Sequence, residues 1–165
     1  MRTIDNINDL NKSEFLSIFG NVFEKTESVA LKVFELKPFK DSDDIVSKML
    51  KIYEEYDRDK ILQILNSHPE LAIEKKLTDE SKLEQTSANL NECSEEEFEE
   101  FKKLNLEYNT KFGFPFIIAV KGKNKNEILV NFRERIQNDL NKEFLEAKNQ
   151  VKKIASFRLK DILSF

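Results

Sequence analysis

The sequence predicts an all-α fold, a single-domain helical bundle of about seven to nine helices with one short extended apolar segment. Glycine and proline number three each in 165 residues, far below their usual share, which disfavours turn-rich β architectures. Hydrophobic residues make up 39% and charged residues 35%, a mixture suited to helices with an apolar stripe and a charged outer face. Apolar residues also recur at three- and four-residue spacing along most of the chain. A chain of 165 residues has the size of one domain, 1–165, and can bury a core without metal or disulfide staples.

In chain order, Leu10 to Val22 places Leu10, Phe15, Leu16, Phe19 and Val22 at near-helical spacing. Asn11 or Ser13 is available as its cap, and Gly20 weakens its end. Ser28 to Leu36 carries Val29, Ala30, Val33 and Phe34 and is stopped by Pro38. Asp41 to Tyr56 opens with acidic residues that suit a helix N-terminus, then sets Ile45, Met49, Leu50 and Tyr53 on one face. Asp57 to Ser67 continues with Ile61, Leu62, Ile64 and Leu65. Pro69 disfavours helical geometry at the residue before it, so His68 is expected at a helix terminus or in the turn that follows.

Thr78 to Leu90 reads as a further helix with Thr78 or Asp79 as cap, and Ser94-Glu95-Glu96-Glu97 is a capping box for the next. That helix runs through Phe98, Phe101, Leu104, Leu106 and Tyr108 and ends near Gly113. Phe112 to Val120 follows neither pattern: it is an apolar extended stretch with Gly113 and Pro115 at its start. If buried, its backbone N–H and C=O groups must find partners, and a polar, planar ligand is one candidate. Asn126 to Asn138 places Ile128, Leu129, Phe132 and Ile136 at core spacing. The last helix, from about Leu140 to Leu163, turns Phe144, Ala147, Val151, Ile154, Ala155 and Leu159 inward, with Arg158 beside that face.

Several function classes are disfavoured. A net charge of −4 and a pI near 5.3 give no basic footprint for nucleic acid. No apolar run approaches the ~18 residues of a membrane span. The single Cys93 permits neither an internal disulfide nor a cysteine cluster. One histidine leaves only carboxylates as further metal ligands, at spacings that are not diagnostic, so no metal is expected. Lys121-Gly122-Lys123 lacks the spacing of a phosphate loop, and no Gly-x-Ser-x-Gly elbow occurs. The first residues lack the apolar core of a signal peptide, and Leu163-Ser164-Phe165 is not the peroxisomal Ser-Lys-Leu tail. A cytoplasmic location is the expectation.

The stretch from residue 65 to 85 is the first place to look for acid–base chemistry. His68 is the one histidine and stands directly before a proline. Its unperturbed pKa of about 6.5 suits proton transfer near neutral pH. Ser81, Glu84 and Gln85 fall at i, i+3 and i+4, so one helix face carries a hydroxyl, a carboxylate and a carboxamide. Plain structural readings stand beside these: an idle helix-end histidine, a solvated helix face, a core strand at Phe112 to Val120, and surface ion pairs for Arg133, Arg135 and Arg158. Arg158 lies among apolar neighbours, and a buried guanidinium needs an anionic or carbonyl partner.

Four motifs occur in order: His68-Pro69-x-Leu71-Ala72, Ser81-x-x-Glu84-Gln85, Asn109-x-Lys111-Phe112-Gly113-Phe114-Pro115-Phe116 and Ile154-Ala155-x-x-Arg158-Leu159. Together they resemble the 2-oxo-4-hydroxy-4-carboxy-5-ureidoimidazoline (OHCU) decarboxylases of urate degradation, over about Leu10 to Leu163. The resemblance implies an all-α, cofactor-free carboxy-lyase that forms (S)-allantoin and CO2. It implies that His68 is the catalytic proton donor and that Pro69 orients the turn; the chemistry is compatible, with Glu84 as the catalytic carboxylate that positions His68. It assigns substrate binding to Pro69, to Ser81, Lys82, Leu83, Glu84 and Gln85, to the backbone of Phe116, Ile117, Ile118, Ala119 and Val120, and to Arg158. One departure stands out: Asn89 occupies the place of a glycine in the Ala-Gly-Leu that relatives tend to carry. The implied partner is the small-molecule substrate, with a homodimer as in many animal and plant relatives. Two alternatives remain: a non-catalytic helical interaction module, and a decarboxylase of a related ureido or imidazoline acid.

Overall fold

A computed structural model describes residues 3–72 and 78–164. Residues 1–2, 165 and 73–77, the last within the 65–85 stretch, lie outside the described residues. The described residues form nine α-helices and one short 3-10 turn, with no strand. They fall into two compact units, Met1–Ser67 with Lys152–Phe165, and His68–Val151.

The first unit holds α1 (Ile4–Asp9), α2 (Lys12–Phe19), α3 (Ser28–Phe34), α4 (Ser42–Glu54), α5 (Arg58–Ser67) and the C-terminal part of α9 (Leu140–Ile162). Helix starts follow the expected side chains. Asn11 caps α2 in a reciprocal box with Glu14, and Asp41 accepts from the Asp44 N–H at the start of α4. Helix α1 is absent from the sequence expectation. It is only six residues long, with Asn6 completing the capping box of Thr3 where Glu or Gln is the usual signal. The core is aromatic: Phe15 packs on Phe19 with ring centroids 4.6 Å apart, and Phe23 stacks on Tyr53 at 4.8 Å. Asn8 ties the Phe39 backbone with both ends of its amide, accepting from the N–H at 2.7 Å and donating to the C=O at 2.9 Å.

The second unit holds α6 (Asp79–Ser87), the 3-10 turn Leu90–Glu92, α7 (Glu95–Phe112), α8 (Lys125–Arg135) and the N-terminal part of α9. Thr78 caps α6, and Ser94 with Glu97 forms the capping box of α7. Helix α7 ends at Gly113, whose φ of 78° is the left-handed conformation that glycine adopts without a steric penalty. Between α7 and α8 the segment Phe114 to Val120 is buried and has no regular secondary structure. Tyr108 stands at the centre of this unit's aromatic core, edge-on to Phe114, Phe116 and Phe132. Phe116 and Phe132 lie nearly parallel with centroids 3.8 Å apart.

Candidate active site

Helix α5 stops at Ser67, and His68 follows it, as the proline at 69 requires. His68 is buried, with 8% of its surface exposed. The turn after it is gripped from two sides. The Ala72 N–H donates to Gln85 Oε1 at 3.1 Å, and Gln85 Nε2 donates back to the Glu70 carbonyl over a longer 3.4 Å. Asn105 Nδ2 of α7 donates to the Leu71 carbonyl at 3.0 Å. Ala72 has φ 51°, a left-handed conformation that costs a non-glycine residue roughly 1 kcal/mol or more and persists only when its surroundings enforce it. The Gln85 and Asn105 amides supply that enforcement.

On α6, Ser81 and Gln85 are buried, Glu84 is half-buried, and Lys82 and Leu83 are exposed. The residues at 81 and 85 therefore share the inner face that their spacing requires, while Lys82 and Leu83 point to solvent. Gln85, which the resemblance assigns to substrate, also fastens the histidine turn.

Phe116, Ile117, Ile118, Ala119 and Val120 are all buried. Two of their backbone groups are met by side chains. Arg135 Nη1 donates to the Ile117 carbonyl at 2.7 Å, and the Ala119 N–H donates to Gln150 Oε1 at 2.9 Å. Arg135, expected as a surface ion pair, is instead buried, because it closes α8 on the side of Phe132 and meets an internal carboxylate. Its Nε donates to Glu143 Oε1 at 2.7 Å, its guanidinium lies 4.3 Å from the Phe116 ring centre, and Glu143 also accepts from the Tyr108 hydroxyl at 2.7 Å. Burial, then the hydrogen bond to Glu143, pushes the Tyr108 phenol far above its usual range, so it remains a donor. Arg133 does form the expected surface pair, with Glu100.

Arg158, in the first unit, is 5% exposed. Nη2 donates to Glu24 Oε2 at 2.8 Å and Nη1 to the Asn21 carbonyl at 2.9 Å. The anionic and carbonyl partners that a buried guanidinium demands are thus residues of this chain.

Asn105, Glu143 and Gln150 escaped the sequence reading. Their signal is a polar residue in a core register: Asn105 sits four after Phe101 and three before Tyr108, and Gln150 sits three after Ala147. Among the described residues, no three His, Cys, Asp or Glu side chains are grouped to hold a metal ion, and no helix is long and apolar enough to cross a membrane.

A fold that is all-helical among the described residues, with a buried histidine at a helix end, a polar helix face beside its turn and an internally braced apolar segment, defines a class of small helical proteins with a buried polar set. The profile of the OHCU decarboxylase family matches residues 8–160, across both units, and the chain belongs to that family. It is 35% identical over 162 residues to the 2-oxo-4-hydroxy-4-carboxy-5-ureidoimidazoline decarboxylase of Haloferax volcanii, covering 98% of this chain and 96% of the relative. It is 38% identical to the uric acid degradation bifunctional protein of a Bacillus species, with 98% of this chain covered. The chain spans only about a third of such bifunctional relatives, 32% in that case. Among solved structures, that of an (S)-allantoin synthase superposes with a TM-score of 0.77 at 27% identity, over 98% of this chain and 54% of the other. An OHCU decarboxylase crystallised in the presence of (S)-allantoin shares the fold, with a TM-score of 0.74 at 23% identity over 88% of this chain and 97% of the other.

Proposed function

We propose that the protein decarboxylates 2-oxo-4-hydroxy-4-carboxy-5-ureidoimidazoline to (S)-allantoin and CO2 without a cofactor. The observation that carries this reading is the placement of His68: the sequence's one histidine is buried at the end of α5, on a turn that Gln85 and Asn105 hold in a left-handed bend.

The chemistry needs little more than a shaped pocket and one proton. The carbon–carbon bond to the carboxylate breaks, CO2 leaves, and the electron pair passes into the adjacent ring system. His68 then delivers a proton to one face of the new stereocentre, with Glu84 orienting the imidazole. Ser81, Glu84 and Gln85 contribute the α6 wall, with Lys82 and Leu83 flanking it on the solvent side and Pro69 fixing the turn. The backbone of Phe116 to Val120 reads the ring and ureido groups. Arg158 holds a ring or ureido oxygen; a tight grip on the carboxylate would stabilise the ground state and oppose its loss. The single domain 1–165 is the catalytic unit, supported by a family match that runs through both compact units. A homodimer in the cytoplasm belongs to the same reading, and light scattering of the purified chain tests the assembly.

Generating the substrate in situ with urate oxidase and hydroxyisourate hydrolase, and following optically active allantoin by circular dichroism, tests the activity. Faster formation of the (S) form is expected. Formation no faster than the spontaneous, racemic route overturns the reading.

A further inference from the structure

We propose that Gln150 and Arg135 are positioning residues: they occupy one edge of the segment Phe116 to Val120 and so aim its opposite edge, centred on Ile118, at the substrate. The inference rests on the reading of that segment as a substrate wall and names the residues that make it one.

Ile117 and Ala119 are two apart, the spacing at which an extended backbone turns its polar groups to the same side. The Ile117 carbonyl accepts from Arg135 and the Ala119 N–H donates to Gln150. Both side chains are buried and held from behind. Arg135 is fixed by Glu143, which also binds Tyr108 and Asn138, and it lies against the Phe116 ring. Gln150 donates from Nε2 to Glu146 Oε1 at 2.7 Å, which turns its amide so that Oε1 faces the Ala119 N–H. A carboxylate at 146 therefore sets which end of the Gln150 amide meets the segment. With the 117/119 edge occupied by the protein, an extended run through these residues turns the Ile118 N–H and C=O the other way, where a ureido or ring amide can pair with both. Tyr108 comes from α7, Arg135 from α8, and Glu143, Glu146 and Gln150 from α9, so the segment is held by a frame rather than by a loop.

The test uses full-length Gln150→Leu, which removes the acceptor, and the exchanged pair Glu146→Gln/Gln150→Glu, which keeps a donor at 146 and an acceptor at 150. Gln150→Leu is expected to raise KM roughly tenfold, the effect of one lost hydrogen bond, with kcat changed less than about twofold. The exchanged pair recovers most of that loss. Amide hydrogen exchange by NMR should show the Ala119 N–H exchanging faster in Gln150→Leu and protected again in the exchanged pair, with the α8 amides unaltered. An unchanged Ala119 exchange rate overturns the proposal, as does faster exchange with an unchanged KM, or an exchanged pair that stays as impaired as Gln150→Leu while its helical content is intact. If the wild-type chain shows no turnover, the reaction falls; Ala119 protection and titration of (S)-allantoin onto the wild type and Gln150→Leu then decide the positioning role, and equal affinity for both overturns it.

Discussion

The Arg158 guanidinium and the Glu24 carboxylate form a buried ion pair, with Nη2 donating to Oε2 at 2.8 Å and Glu24 wholly buried. Two charges removed from water are tolerated because each neutralises the other, and the Asn21 carbonyl takes a further guanidinium hydrogen. Breaking such a pair from one side leaves an uncompensated charge. Glu24→Ala should therefore destabilise the protein by about 3–5 kcal/mol, read as a lower urea midpoint with little change in slope. Arg158→Lys separates structure from chemistry. It keeps the charge but loses the planar fork, so kcat/KM should fall by roughly tenfold or more while most stability is kept. Full kcat/KM in Arg158→Lys would remove Arg158 from the substrate.

His68→Asn keeps a polar side chain of similar reach on the turn but cannot donate a proton near pH 7. It should lose about 10²–10⁴-fold in kcat, the usual contribution of a positioned acid, with helical ellipticity and the denaturation midpoint close to wild type. Activity surviving in this variant would move the proton donor elsewhere.

Much of this was legible in the sequence because local chemistry determined it. Pro69 placed His68 just beyond a helix, Ser94 with Glu97 started α7, and Gly113 ended it. The inward faces of α8 and α9 followed from period alone: Ile128, Leu129, Phe132, Phe144, Ala147 and Leu159 are all buried. The frame behind the site was harder to read because it is tertiary. Arg135 meets Ile117 eighteen positions away and Asn105 meets Leu71 across thirty-four, and no local pattern encodes either pairing. Arg158 was expected to need a carboxylate or carbonyl if buried, but Glu24 lies 134 positions distant.

Gln85 serves the turn as well as the helix face. Gln85→Leu strands the buried Ala72 N–H and should cost about 1–3 kcal/mol in chemical denaturation. It should also lower kcat, since the turn that carries His68 loses its α6 anchor. Gln85→Glu keeps an acceptor for Ala72 and loses the donor to Glu70, so its stability should fall between the two. A fully stable Gln85→Leu would show that Asn105 alone holds the turn.

Acid should weaken the second unit through Glu97. The hydrogen bond from Lys125 Nζ, then that from the Ser94 N–H, holds its carboxyl below the ordinary carboxylate value. A carboxylate with a lowered folded-state pKa stabilises the fold above its unfolded value, about 4.3, and that contribution is lost as pH falls through the folded value. Urea midpoints from pH 7 to 3 should therefore decline more steeply for wild type than for Lys125→Met. Equal acid slopes would mean that the pair adds nothing in solution.

Asn89 sits at φ 60° and ψ 23°, in the left-handed region, just after α6 ends at Ser87. The glycine that the family resemblance would place here meets that backbone sign without a steric penalty. Asparagine is the side chain that best tolerates the same conformation, so the departure spares the fold. Asn89→Gly should be neutral or stabilising by up to about 1 kcal/mol, and Asn89→Val should cost about 1–2 kcal/mol, because a β-branched residue pays the full left-handed penalty. Thermal denaturation of the two variants checks both signs. Since Asn89 is exposed, neither change should alter KM, and a shift in KM with Asn89→Gly would tie this helix end to the substrate.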